Sequence, residues 1–237
     1  SSRKVPAITY NKGLTMRVDV DAMGETIQNW RELYTGRLMR RLLRNELIRG
    51  IAAMDAAVIL VSSASATQNA AVSWSAASGQ DPDKDVRTLV DGVSDLVGFQ
   101  INRALYGRKA TTWRKNTYGQ MNAPAGYAGY INMNPTEIAD SVGVDEILIS
   151  KERYTGSPAA AKTQAVGAVV WAFMAEANMT PEDPSSIKRF VSPTAGGTPF
   201  RVYEQQINAK LYDITVEHYS QIIVTAPTGI GKVTVTT

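Results

Sequence analysis

The sequence predicts an α+β fold in which helices and strands are segregated along the chain instead of alternating. Three observations carry that reading. A Pro-free stretch from Glu25 to about Leu60 has apolar residues at steps of three or four, the last part of the chain is a series of alternating strand-like runs, and cap and turn signals divide the two. The 237 residues suffice for one large domain or two small ones, burying roughly 70–75% of the surface an unfolded chain exposes.

Taken in order, Val5 to Val20 reads as a β-hairpin. Ile8 and Tyr10 precede a break at Asn11-Lys12-Gly13, where Gly supplies a turn conformation, and Leu14, Met16 and Val18 alternate after it. An isolated two-stranded hairpin is marginal in water, so it needs something to pack on. In the Glu25–Leu60 stretch the apolar positions are Ile27, Trp30, Tyr34, Leu38, Leu42, Leu47, Ile51, Met54 and Val58. A helix of that length would run about 54 Å. Its outer face carries Arg31, Arg37, Arg40, Arg41, Arg44 and Arg49 against Glu32 and Glu46.

Val72, Trp74 and Ala76 alternate within a Ser/Ala-rich stretch and suggest one strand. Asp81-Pro82 is an N-cap followed by Pro in the first helical turn, with Val86, Leu89, Val90 and Val93 on one face of the helix it opens. Gly98 to Asn116 is mixed, and Tyr118 to Tyr130 reads as a loop. Asn134-Pro135-Thr136-Glu137 has capping-box spacing and starts a short helix ending at Gly143. Ile147–Ile149 and Val166–Met174 are apolar strands, and the Pro-rich stretch Thr180 to Pro199 is a long loop. The chain closes on three strands, Phe200–Ile207, Lys210–Tyr219 and Gln221–Thr225, joined by short turns.

Composition removes many chemistries. A chain without Cys has no disulfide, thiolate nucleophile or cysteine-ligated metal site, and a single His excludes multi-histidine metal sites. A net charge of +3 is mildly basic, well short of a protein built solely to neutralise phosphates. No apolar run reaches the roughly 20 residues of a membrane helix, so no membrane partner is expected. The Ser1 start fits a removed initiator Met, a trimmed terminus or proteolytic maturation.

Three motifs invite a chemical reading. Ala226-Pro227-Thr228-Gly229-Ile230-Gly231-Lys232-Val233 looks like a phosphate-binding loop, but Val233 replaces the hydroxyl residue and no helix can follow, so a turn and terminal strand is the better reading. His218 alternates with Tyr212, Ile214 and Val216 on an apolar strand face, where a lone His is usually a packing residue. Asp81, Asp83 and Asp85 are spaced as in a calcium loop without its central Gly or terminal Glu, and capping accounts for Asp81. No catalytic, cofactor or metal site is expected, and the chain reads as a non-enzyme. The arginine face is the one strong charge asymmetry. It fits a solvated face, partner carboxylates across an interface, or enclosed phosphates.

The order of these elements resembles the major capsid proteins of tailed bacteriophages, with the Hong Kong phage type fold shared by encapsulins. The resemblance spans nearly the whole chain. Val5–Val20 resembles the extended E-loop hairpin, and Glu25 to about Leu60 the spine helix of the peripheral (P) domain. Gly98-Phe99-Gln100-Ile101-Asn102 and Leu105-Tyr106-Gly107 are similar to a Gly/Asn/apolar region of that family, with Ile101 where Pro is usual. Glu137 to Ile149, with its Gly143-Val144-Asp145 turn, followed by Arg153-Tyr154 and Val169-Val170-Trp171, is similar to the axial (A) domain.

The resemblance implies an N-arm and E-loop over 1–24, a P domain over 25–80, an A domain over 81–199 and returning strands over 200–237. It implies self-assembly into pentamers and hexamers of an icosahedral shell enclosing double-stranded DNA, a place in the virion capsid, and assembly in the host cytoplasm. Portal, scaffolding, maturation-protease and decoration proteins are the implied further partners. Asn11, Lys12, Gly13, Arg37, Arg40 and Arg44 are then the candidate assembly contacts. An encapsulin compartment is the alternative within the fold, and a basic DNA-binding protein the alternative outside it.

Overall fold

The structure is a computed structural model, which describes residues 7–21, 29–62, 68–74, 80–120, 128–155, 157, 159–176, 183–193 and 197–236. The elements are β1 (Tyr10–Asp19), α1 (Trp30–Ser62), β2 (Asn69–Ser73), α2 (Pro82–Val97), β3 (Arg103–Gly107), α3 (Arg108–Gln120), α4 (Ala128–Ile131) and α5 (Pro135–Val142). They continue with β4 (Glu146–Ser150), β5 (Arg153–Tyr154), β6 (Thr163–Gln164), β7 (Val169–Phe173), β8 (Ile187–Ser192), β9 (Arg201–Gln206), β10 (Leu211–Val224) and β11 (Ile230–Thr236). The mixed α+β content agrees with the sequence reading.

The chain forms two compact units. The first comprises residues 1–50 and 189–223, the second 51–188 and 224–237. The chain therefore passes between units within α1, within β8 and near the end of β10, whereas the boundaries read from the sequence fall at 24, 80 and 199. Continuous elements carry the chain across, so composition gives no sign of the crossings.

In the first unit β10 pairs with β1, β8 and β9. Ile214, Val216, His218 and Ser220 alternate into the interior, since successive strand residues point to opposite faces. Trp30, Leu38 and Leu42, on one stripe of α1, close a core with Val18, Ile214 and Val216. Each fully buried Leu there contributes about 1.5–3 kcal/mol.

Two strand expectations fail in this unit. The hairpin turn at Asn11-Lys12-Gly13 is absent, because β1 runs straight through these residues, antiparallel to β10 from Tyr10 opposite Ser220 to Asp19 opposite Leu211. Val5 and Pro6 lie outside the described residues. Gly13 is used for close approach and not for a turn: a Cβ there would sit 3.3 Å from the Cβ of Glu217. Likewise Lys210–Tyr219 and Gln221–Thr225 are one strand, because Ser220 is buried and hydrogen-bonded instead of turning. The β9–β10 hairpin matches the sequence reading.

The second unit is built on a five-stranded sheet in the order β2-β11-β7-β3-β4. Alternation gives it two apolar faces. Ala104, Tyr106, Val170, Ala172 and Val233 pack against Leu89 and Val93 of α2 and Ile138 and Val142 of α5. Leu105, Trp171 and Ile230 pack on the other side against Met54 and Val58 of α1. Both predicted caps are present. Asp81 accepts from the Lys84 N–H, and Asn134 and Glu137 form the reciprocal capping box, with Gly98 and Gly143 in left-handed conformation at the helix ends.

Under these helices lies a buried ion pair: Arg114 Nε and Nη2 donate to the two carboxylate oxygens of Asp83 at 2.6 and 2.7 Å. Asp83 is thus a structural partner, and no group of three or more His, Asp or Glu among the described residues is placed to hold a metal. Two stretches read as loops contain structure. The Pro-rich segment holds β8, whose Ile187 and Val191 supply the alternation, and residues 118–120 and 128–130 are helical, with 121–127 outside the described residues.

Candidate functional site

The densest charge cluster of the first unit surrounds Glu46, which α1 presents on its buried side between Leu42 and the strands. Its Oε1 accepts from the hydroxyl of Ser220, lies 3.1 Å from His218 Nε2 and 3.6 Å from Lys12 Nζ, and its Oε2 lies 2.5 Å from Arg189 Nε. Lys12 also donates to Ser220 Oγ at 3.0 Å. One buried carboxylate is therefore shared by a lysine, an arginine and an imidazole. Burial pushes the His218 pKa below its ordinary value, and Arg189, Lys12 and Arg49 push the same way while Glu46 opposes them. His218 Nε2 also lies 3.3 Å from the hydroxyl of Ser220, which itself donates to Glu46, so the neutral imidazole is a packing and bridging residue of this cluster.

Of the predicted contact residues, Asn11, Lys12 and Gly13 are neighbours on β1, but each has an internal task. Asn11 donates to Glu217 Oε2 at 3.0 Å, Lys12 joins the Glu46 cluster, and Gly13 admits Glu217. The arginines divide. Arg31 lies over the Trp30 ring at 4.5 Å and pairs with Glu204 at 2.8 Å, so it is a structural clamp. Arg37 is exposed over the Tyr34 ring at 5.3 Å, and exposed Arg40 donates to the Gly36 carbonyl at 3.3 Å. Arg41 is also exposed, while Arg44 is half-buried. Arg37, Arg40 and Arg41 therefore present cationic groups outward, interspersed with the exposed Leu33 and Leu43.

The Glu46 cluster escaped the sequence reading because its members lie on four elements, α1, β1, β8 and β10. Glu46 and Ser220 are 174 positions apart, a separation no local pattern reports. A Glu on the apolar stripe of a helix, in step with Leu42, was the available signal.

In the second unit, the loop-like Pro227–Gly229 is a short 3-10 turn that leads into β11. Gln68 Nε2 donates to the carbonyls of Thr228 and Ile230, and Lys232 Nζ donates to Asp55 at 2.5 Å beside the Trp171 ring. The lysine a phosphate loop would need is bound to a carboxylate.

No family model matches the chain, and no curated protein matches it by sequence. Solved structures do. A phage-related protein of Bordetella bronchiseptica superposes with a TM-score of 0.70 and 19% identity over 95% of this chain and 74% of that one. The capsid structure of cyanophage P-SCSP1u gives 0.53 and 8% over 100% and 78%. A virus-like particle from Pyrococcus furiosus gives 0.50 and 12% over 95% and 76%. With its two-faced sheet, long helix and long-range strand pairing, the chain has the Hong Kong phage type fold.

Proposed function

We propose that the protein is a structural shell subunit, the major capsid protein of a tailed phage, whose copies assemble into a closed icosahedral shell around double-stranded DNA. The observation that supports this most is the likeness of fold over 95–100% of the chain to a phage-related protein, a phage capsid and a virus-like particle. The first unit then takes the part of the peripheral domain, with α1 as its spine, and the second that of the axial domain. Pentamers and hexamers repeat each contact by symmetry, so individually weak contacts sum to a stable shell. The role is mechanical, without a catalytic step. Arg37, Arg40 and Arg44 remain the proposed contacts, toward packaged phosphates or a neighbour's carboxylates. The virion capsid, assembled in the host cytoplasm, is the corresponding location.

Size-exclusion chromatography with negative-stain microscopy tests the reading. Closed particles of uniform diameter are expected, and a protein that stays monomeric at every concentration overturns it. The second reading is the encapsulin alternative, a compartment shell around protein cargo. Shells expressed with their neighbouring genes distinguish the two, by nucleic acid or by a single enclosed protein.

A further inference from the structure

Beside the Glu46 cluster, within the first unit, lies a cavity of about 360 Å³ whose walls come from Tyr10, Asn11 and Lys12 of β1, Arg49 of α1, and Ser220 to Ile222 of β10. Its charge is unbalanced. Glu46 is already engaged by Ser220, His218, Lys12 and Arg189, and Arg49 forms no ion pair with any described residue. The Gln221 side-chain oxygen, also on the wall, is buried without a hydrogen-bond partner among the described residues. Two cations and an orphaned acceptor thus face one space.

We propose that this cavity is a binding site for inorganic phosphate in its hydrogen phosphate form. The anionic oxygens accept from Lys12 and Arg49, in the charge-assisted geometry that makes such bonds strong. The phosphate hydroxyl donates to the Gln221 oxygen. Sulfate lacks that proton at neutral pH, and so do the internal phosphodiesters of DNA, so the site selects against both. Burial and the nearby Arg49 lower the Lys12 pKa, a deficit of negative charge that a bound anion relieves.

Isothermal calorimetry of the whole protein with inorganic phosphate, at constant ionic strength, tests the site. Arg49→Gln, a surface change on a helix, should weaken phosphate binding about tenfold or more, and Lys12→Gln should do the same. Arg17→Gln, on the same strand as Lys12 but outside the cavity, should leave phosphate binding unchanged. Sulfate should bind more weakly than phosphate to the parent protein. Absence of phosphate binding, equal binding by Arg49→Gln in a protein whose circular dichroism is unchanged, or sulfate binding as tightly as phosphate overturns the assignment. So does binding of a short DNA duplex, dependent on Arg49, where phosphate fails to bind.

Discussion

At the scale of single residues, position in a local pattern was legible and long-range pairing was not. Asp81 and Asn134 were readable as caps because a cap acts within three residues of itself. His218 was readable as a strand-face packing residue, yet its partner Glu46 lies in a different part of the chain. The environment of His218 has a measurable consequence. Its folded pKa is depressed below 6.5, so over the window just below that value the unfolded chain binds more protons than the folded one. Stability contributed by neutral His218 is therefore present above pH 6.5 and lost as the pH falls below it. The facing groups are Glu46 on α1, Lys12 on β1, Arg189 on β8 and Arg49 on α1. Urea unfolding at a series of pH values should show the parent protein weakening below pH 6.5, with a shallower decline for His218→Gln. Identical profiles would show that the imidazole is not the titrating group.

At the scale of elements, helices were read better than strands because a helix is specified by its own period, while a strand depends on what lies beside it. The spacing of Trp30, Tyr34, Leu38 and Leu42 survives in the core that α1 makes. The strands β1 and β10 were each broken at the wrong place, at Gly13 and at Ser220. Both residue types are common in turns, but here one serves close approach and the other a buried hydrogen bond. Two glycines of the five-stranded sheet extend the point. A Cβ at Gly231 would lie 2.7 Å from a Val93 methyl and 2.9 Å from a Leu89 methyl, both movable side-chain tips. A Cβ at Gly107 would collide with the backbone carbonyl of Gly167, which cannot rotate away. Gly231→Ala should cost about 1–3 kcal/mol by overpacking, and Gly107→Ala should cost more, as read from thermal unfolding midpoints of the two variants. The reverse order would mean that the loop carrying Gly167 yields more easily than the α2 packing.

At the scale of the whole molecule, the order of elements carried the fold, whereas the division into units was hidden because α1 and β10 run through it unbroken. The arginine face is the feature whose meaning only assembly can reveal. Changing Arg37 and Arg40 to Gln together should leave the subunit folded, since both are exposed and neither pairs with a carboxylate of the described chain. The expected result is shells that form but retain less nucleic acid, read from ultraviolet absorbance of purified particles. Loss of shells with an intact fold would instead assign the pair to a contact between copies.

The pairing of β1 with β10 also orders events in time. Tyr10 meets Ser220 and Asp19 meets Leu211, so β1 leaves the ribosome about 200 residues before the strand it pairs with. At about 5–20 residues per second, that delay is on the order of 10–40 s. Until then the first unit has no completed sheet, whatever the second unit has achieved. A chain terminated before β10 therefore lacks the strand on which the first unit is built, so the fold withholds that unit's contacts with other copies until β10 has been made.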